Sequence, residues 1–363
     1  MANNSTVDIS SAEQLTFLQS LFLSLASILP LRLRYYFLSI CSFCHSTQQW
    51  LETVELMASR FPSIASESLN IDLRLLHFKR RPEFAKNNFV ETSEKSIFPK
   101  GSIPRISYVN LSESILDDAM RNHGALIVEN AISSDKAEEL KAEIETVRSE
   151  HQKRLIDIAG YTCGRHYRPL PAENKNNSYF INSSIYLAEA PLIFNAFYNI
   201  LNTTKLRSLI VNYLGNHAAM SVEKSVLRKM EPDNSDKWQW AWHQDGAFLG
   251  DNIHSLNMWL ALTDCGAEAP SLDVLTERYR AILPTGSGKA LYDWSLCPDL
   301  IEDEIQKHGF EHTDFKQGDL IFFDHYNVHR TGMIKNMTKT RYAIESWFFS
   351  EYGFPETKTG LKL

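Results

Sequence analysis

Five cysteines in 363 residues, at positions 41, 44, 163, 265 and 297, are too scattered to frame a small secreted domain, and their number is odd. A reducing, cytoplasmic setting is the expectation. Positive charge is not in surplus either: 37 Lys and Arg stand against 44 Asp and Glu, for a formal net charge of -7. No basic stripe is present, which excludes nucleic acid as a bulk partner. Long hydrophobic runs are missing as well. The most apolar stretch, from Leu15, is broken by Gln19, Ser20, Ser24, Ser27, Pro30, Arg32 and Arg34, so it does not read as a membrane span. The first fourteen residues carry acids and no basic residue, unlike a secretory leader. Internal repeats and low-complexity tracts are absent too.

What remains is ordinary globular material, 44% hydrophobic and 22% charged, enough for one large core with an extension. Residues 1 to 100 read as helical, because Leu15, Phe17, Leu18, Leu21, Phe22 and Leu25 recur at spacings of three and four. A buried helix pair is the first reading of this extension, with membrane or partner contact as the other. The polar stretch containing Pro99, Gly101 and Pro104 marks a boundary. Beyond it, "SESILDDAMRNHG" predicts a helix and "ALIVEN" a strand. "AISSD" supplies a turn in which Ser134 or Asp135 can cap the helix "KAEELKAEIETVRSEHQ". From about residue 215 the apolar runs are short and β-rich, as in "KSVLRKM", "KWQWAWHQ", "SLNMWLALT", "DLIFFDHYNVH" and "RYAIESWFF". Such strands between Gly, Pro, Asp and Asn turns predict a sandwich or jelly roll. The fold class is therefore α+β.

Chemistry concentrates in two stretches. In "WAWHQDGAFLG" a strand would set Gln239, Ala241, His243 and Asp245 on one face and Trp238, Trp240 and Trp242 on the other. In "GDLIFFDHYNVHRTG", Gly318 and Asp319 make a turn, Leu320 to Asp324 a buried strand, and His329 follows at its end. Two His and one carboxylate on one face of a metal leave three positions open, the arrangement of non-haem Fe(II) oxygenases. Such enzymes need an electron-donating co-substrate. 2-Oxoglutarate can chelate iron and leave a place for dioxygen, but its far carboxylate needs a cation. Arg341, twelve residues beyond His329, has the planar fork for that contact, and Thr331 can add a hydroxyl.

His243-Gln244-Asp245-Gly246, His329-x-Thr331-Gly332 and Arg341, in this order, resemble the phytanoyl-CoA dioxygenase family of Fe(II)/2-oxoglutarate oxygenases. The start "HGALIVENAISSDKAEEL" also resembles that family, so the likeness covers roughly residues 104 to 350. It implies a double-stranded β-helix core with flanking helices in residues 104–363. It also implies His243, Asp245 and His329 as iron ligands, with Arg341 and Thr331 on 2-oxoglutarate. The implied reaction is oxidation of a small molecule, by default hydroxylation of an unactivated C–H bond, giving succinate and CO2. Acyl thioesters, lipids, amino acids and natural-product skeletons all fall within the substrate range. Where the family carries a Gly-Ser-His motif, this chain has Ser271 and Thr276-Glu277-Arg278, a loose match.

Other signals were weighed beside these. His325 competes with His329, but its place in the strand run suits a supporting role. Lys339 is a second cation near Arg341. Asn257 and Trp259 share a strand face and can line the pocket, as can Arg228 on the preceding strand. Arg165, His166 and Arg168, in a long polar segment, are candidates for a substrate-binding lid. The heme-like spacing of Cys41 to His45 and the basic run Phe78 to Pro82 read as an apolar helix face and a solvated helix end. Three rivals stand against the oxygenase: a non-catalytic jelly-roll binding module, a metal enzyme that does not use 2-oxoglutarate, and a membrane-associated scaffold built on the N-terminal apolar helices. A homo-oligomer is compatible with all of these.

Overall fold

In the computed structural model the described residues are 96–156, 166–167, 184–215, 218–222, 224–232, 241–250, 253–355 and 358–363, all within the unit Pro82–Leu363. The expected N-terminal helices, the Cys41 to His45 spacing, the Phe78 to Pro82 run, Arg165, Arg168, Trp238, Gln239 and Trp240 lie outside them. The first part of the chain runs β1 (Arg105–Ser107), α1 (Glu113–Asn122), β2 (Ala125–Glu129), α2 (Ser134–Ile156), β3 (Ser184–Tyr186), α3 (Pro191–Thr203) and α4 (Leu206–Leu214). The second part is richer in strands: β4 (Ala219–Ser221), β5 (Val226–Met230), α5 (Gly246–Leu249), β6 (Ser255–Ala261), β7 (Ser271–Leu275), α6 (Pro298–His308), β8 (Phe310–His312), β9 (Leu320–Phe323), β10 (His329–Gly332), β11 (Arg341–Phe349) and β12 (Gly360–Lys362). The result is a mixed α+β fold, as the composition and patterning predict.

Helix starts follow from side-chain capping. The Ser112 hydroxyl accepts from the Ile115 amide at the head of α1. At the head of α2 the hydroxyl of Ser133, one residue before the expected Ser134 or Asp135, accepts from the Lys136 amide. The apolar stripe of α1 buries Leu116, Ala119 and Met120, and α4 buries Leu206, Leu209, Ile210 and Leu214. These two helices pack on each other, α1 against β2 and α4 against β6 and β11.

The strands form a nine-stranded sheet, with the path β1-β2-β9-β6-β11-β4-β12 and β3 and β5 attached beside β11, and a three-stranded sheet β10-β7-β8. Register separates the two faces of the large sheet. Trp259 lies opposite Glu345 and Ile321, and Asn257 opposite Trp347 and Phe323. Arg341 lies opposite Met230, and Ala343 opposite Arg228. Directly paired residues point the same way, so all of these share one face. That face meets the small sheet, since the Arg341 guanidinium donates to the Ser271 carbonyl on β7 at 2.9 Å. The alternate residues Leu256, Met258 and Leu260 are apolar and fully covered, leaving the helices for the opposite face. Each such side chain contributes about 1.5–3 kcal/mol of burial. No helix among the described residues is long and apolar enough to cross a membrane.

Two local expectations need correction. His243 is not in a continuous strand with Asp245: it makes isolated antiparallel bridges to Ser295 and His329, and Asp245 already has helical dihedrals at the entry to α5. His329 does not close the strand Leu320–Phe323. It opens β10, on the other sheet, after a loop that contains His325.

Candidate active site

Three donors converge between the sheets. One ligand atom from each of His243, Asp245 and His329 lies within 4.8 Å of the others. The strand bridge sets this geometry, because the His243 amide donates to the His329 carbonyl and the His329 amide returns the bond, both at 3.0 Å. The imidazoles therefore stand side by side, with ring centroids 4.5 Å apart. Asp245 comes round from the turn into α5, its carboxylate 3.7 Å from His243 Nε2.

The tautomers are fixed by the backbone. His243 Nδ1 lies 2.9 Å from the Ala241 carbonyl and His329 Nδ1 lies 3.2 Å from the Asn327 carbonyl. A carbonyl only accepts, so each Nδ1 carries a proton, the tautomer that leaves Nε2 as the metal-binding atom of a neutral ring. Burial, reinforced by the neighbouring His329, pushes the His243 pKa down to about 4, so the ring is neutral at pH 7. Two imidazoles aimed by backbone carbonyls and a buried carboxylate fit a divalent iron that needs open positions.

A second feature lies on the inner face of the large sheet. Arg341 is buried, and its Nε has no hydrogen-bond partner among the described residues. Its guanidinium lies 5.5 Å from the Trp259 ring centroid, and Nη2 meets only the Met230 sulfur, at 3.5 Å. Burial lowers its pKa to about 10, which still leaves it charged at neutral pH. A buried cation without an anion is costly unless a ligand supplies one. Thr331 lies next to it by register: Ser271, whose carbonyl Arg341 binds, pairs with Gly332. His329 and Thr331 are two apart on β10 and share a face.

Arg228 sits on the same face but is differently occupied. Its Nη2 and Nε reach Glu345 Oε2 at 2.6 and 2.9 Å, and Nη1 reaches the Ser184 hydroxyl at 3.0 Å. Burial alone would raise the Glu345 carboxyl, but Arg228 outweighs it and holds that pKa well below the usual range. Of these two arginines, only Arg341 is fully buried, and among the described residues it has no carboxylate in ion-pair contact. Asn257 donates to Glu345 Oε1 at 3.4 Å, and Trp259 both backs Arg341 and packs on Phe315, 5.0 Å between centroids. Arg341, Arg228, Trp259 and Asn257 thus share the inner face of the large sheet, which reaches His329 through Phe323, while His243, Asp245 and His329 converge and Thr331 follows His329 on β10.

The competitors are elsewhere. His325 bonds the Ser255 hydroxyl at 2.9 Å and packs on Tyr326. Lys339 is exposed and paired with Glu268 at 2.6 Å, so it is not the second cation of this space. Arg278 holds Asp324 at 2.6 Å, and His166 is 3.2 Å from Glu143 on α2. Sequence reasoning missed Glu345, whose signal was a lone acid in an apolar strand at even spacing from Arg341. It also missed Gln244, which is buried and ties the metal loop to its surroundings: its amide donates to the Ala281 and Tyr326 carbonyls at 3.0 and 2.7 Å and accepts from the Leu283 amide at 2.7 Å.

A sequence model of the family "Phytanoyl-CoA dioxygenase (PhyH)" matches residues 120–341, a span that holds the three donors and ends on Arg341. No curated protein matches the chain. Similar solved structures include EctD from S. alaskensis with bound Fe, 15% identical over 75% of this chain and 86% of that one, with a TM-score of 0.49. The same protein with 2-oxoglutarate and 5-hydroxyectoine is 17% identical over 74% and 86%, with a TM-score of 0.46. SnoK, a non-heme alpha ketoglutarate dependent carbocyclase from nogalamycin biosynthesis, is 13% identical over 67% and 85%, with a TM-score of 0.44.

Proposed function

The chain belongs to the phytanoyl-CoA dioxygenase (PhyH) family, and from that premise we propose that it hydroxylates an unactivated C–H bond of a small organic molecule. It is an Fe(II)/2-oxoglutarate-dependent dioxygenase with iron and 2-oxoglutarate as its cofactors. When bound, iron and 2-oxoglutarate supply the activation of dioxygen, with the co-substrate converted to succinate and CO2. Residues 104–363 form the oxygenase domain in this reading, and a double-stranded β-helix is the topology that two facing sheets support.

The chain's own residues have separable tasks. His243, Asp245 and His329 hold the metal through two Nε2 atoms and one carboxylate, and the carbonyls of Ala241 and Asn327 keep both rings aimed. Arg341 takes the distal carboxylate of 2-oxoglutarate with Thr331 beside it, while Trp259 covers the guanidinium and excludes water. Glu345 neutralises Arg228 and so keeps a second cation from competing for that carboxylate. Asn257, anchored on Glu345, lines the same wall. Positioning the substrate carbon is the remaining task, and it decides which bond is oxidised.

One observation carries this reading: three metal-type donors lie within 4.8 Å of one another, and the large-sheet face that meets their sheet carries a buried guanidinium whose Nε has no partner among the described residues. Its test is an anaerobic titration of the purified protein with Fe(II) and 2-oxoglutarate, following the visible metal-to-ligand charge-transfer band. The band should form, vanish in His243→Ala, and in Arg341→Ala require about a hundredfold more 2-oxoglutarate, as expected when a charged partner is removed. A well-folded protein that gives no band overturns the reading.

A further inference from the structure

Lys224 stands between β4 and β5, half-buried, and it takes no part in the assignments above. Its ammonium lies 4.0 Å from the centroid of Phe248, within the fields of Asp245 and Glu345. No carboxylate among the described residues is within ion-pair distance of it. Phe248 on α5 in turn lies beside the metal centre, 6.4 Å from the His243 ring and near parallel to it. Trp294 closes the rim, 5.2 Å from His243, 6.0 Å from Phe248 and stacked on Tyr292 at 4.7 Å. Phe248, Leu291 and Tyr292 are all exposed large apolar side chains. An ammonium and a wall of aromatic faces thus share the rim around His243.

Charge balance points the same way. Among the described residues this space holds three cations, Arg228, Arg341 and Lys224, and two anions, Asp245 and Glu345. Iron(II) would add two positive charges and 2-oxoglutarate would remove two. One positive charge is left over. Arg228 is committed to Glu345 and Arg341 is suited to the co-substrate, so among the described residues the cation with no carboxylate in ion-pair contact is Lys224. Dehydrated charge of this kind favours an anion and disfavours its neutral analogue.

Resting on the function proposed above, we infer that the substrate carries an anionic group, a carboxylate or a phosphate, which Lys224 binds while its apolar body stacks against Phe248 and Trp294. Lys224 is then a specificity-determining residue. It selects the charged member of otherwise similar molecules and sets which carbon faces the metal.

The test uses protein loaded anaerobically with Fe(II) and saturating 2-oxoglutarate, so that Arg341 is occupied. Benzoate with its neutral match benzamide, and phenyl phosphate with phenol, are titrated by isothermal calorimetry. Protection of Lys224 from reductive methylation is followed by mass spectrometry. At least one anion should bind about tenfold more tightly than its neutral partner and protect Lys224, the gain expected for a charge-assisted contact. The pair that shows the preference separates carboxylate from phosphate. Lys224→Met should abolish the preference, Lys224→Arg should keep most of it, and Phe248→Ala should weaken charged and neutral probes alike. The inference is overturned if neither anion is preferred, or if the preference survives in Lys224→Met. It is also overturned if that variant needs more 2-oxoglutarate to form the charge-transfer band, since Lys224 would then serve the co-substrate. A wild-type protein that forms no band fails earlier and brings down the parent reading with this one.

Discussion

Arg341, proposed above as the cation for 2-oxoglutarate, is a residue whose burial works against stability. Its guanidinium is buried with one orphaned nitrogen, a single carbonyl bond to Ser271 and the face of Trp259. Arg341→Met should therefore raise the 2-oxoglutarate requirement about a hundredfold while the ligand-free protein melts no lower than wild type. A differential scanning experiment without ligand, beside the optical titration, checks both halves. A large fall in melting temperature would mean that the guanidinium is a structural tie. Gly246 behaves in the opposite way, because its role is room. A Cβ there would stand 2.3 Å from Ile282 Cδ1 and 3.1 Å from the His325 carbonyl oxygen. The first neighbour can swing aside, but the second is backbone. Gly246→Ala should cost about 1–3 kcal/mol in chemical denaturation and weaken iron binding, since the adjoining Asp245 would move with it.

At the scale of elements, the small sheet works as a clamp on the strand that carries His329. Asp273, central on β7, pairs across to Arg330 on β10 and His312 on β8. Its carboxylate holds both, Oδ2 at 2.8 Å from Arg330 Nε and Oδ1 at 2.6 Å from His312 Nδ1. Arg330 also lies over the Trp242 ring, 4.7 Å to its centroid, which fastens the residue before His243 to the same sheet. Gly332 leaves the space this needs, since a Cβ would come within 2.4 Å of Asp273 Oδ1. The clamp is on the outer face, because Arg330 alternates with the inward His329 and Thr331. The hydrogen bond that His312 donates to Asp273 is the main reason that the His312 pKa is raised above its ordinary value. A raised folded-state pKa contributes stability that is fully present below the unfolded value and is lost as pH rises through the folded value. Wild type should thus lose stability as pH climbs from below about 6.5 through the raised pKa of His312, and Asp273→Asn should flatten that slope. Urea midpoints measured across this range decide the matter, and an unchanged slope in Asp273→Asn would remove His312 from the account.

For the whole molecule, a metal held by the three donors would link the two sheets. Asp245 enters from α5, His329 belongs to the small sheet, and the inner face of the large sheet backs them, with Phe323 4.7 Å from the His329 ring. Binding that favours the folded state stabilises it by about 2.7 kcal/mol at a hundredfold excess over Kd. Fe(II) under anaerobic conditions should therefore raise the melting temperature of wild type, chelation should reverse the rise, and His243→Ala should show neither effect. Much of this arrangement was legible in the chain itself. Strand and helix periods, the His-x-Asp pair, a later His-x-Thr-Gly and an arginine twelve residues beyond are local patterns, and local patterns survive in one dimension. The sequence alone therefore determined the α+β class and singled out the three donors that converge and the buried arginine proposed to bind a carboxylate. It did not determine that Asp245 leaves the strand for a helix turn, that His329 begins a strand on the other sheet, or that Lys339 faces Glu268 at the surface. Nor did it show that Glu345 pairs with Arg228 and that, among the described residues, Arg341 and Lys224 have no carboxylate in ion-pair contact. Those outcomes depend on which residues meet across strands 44 to 117 positions apart, as Ser184, Arg228 and Glu345 do. Only the tertiary fold sets that register, and with it which of several identical charges is already satisfied.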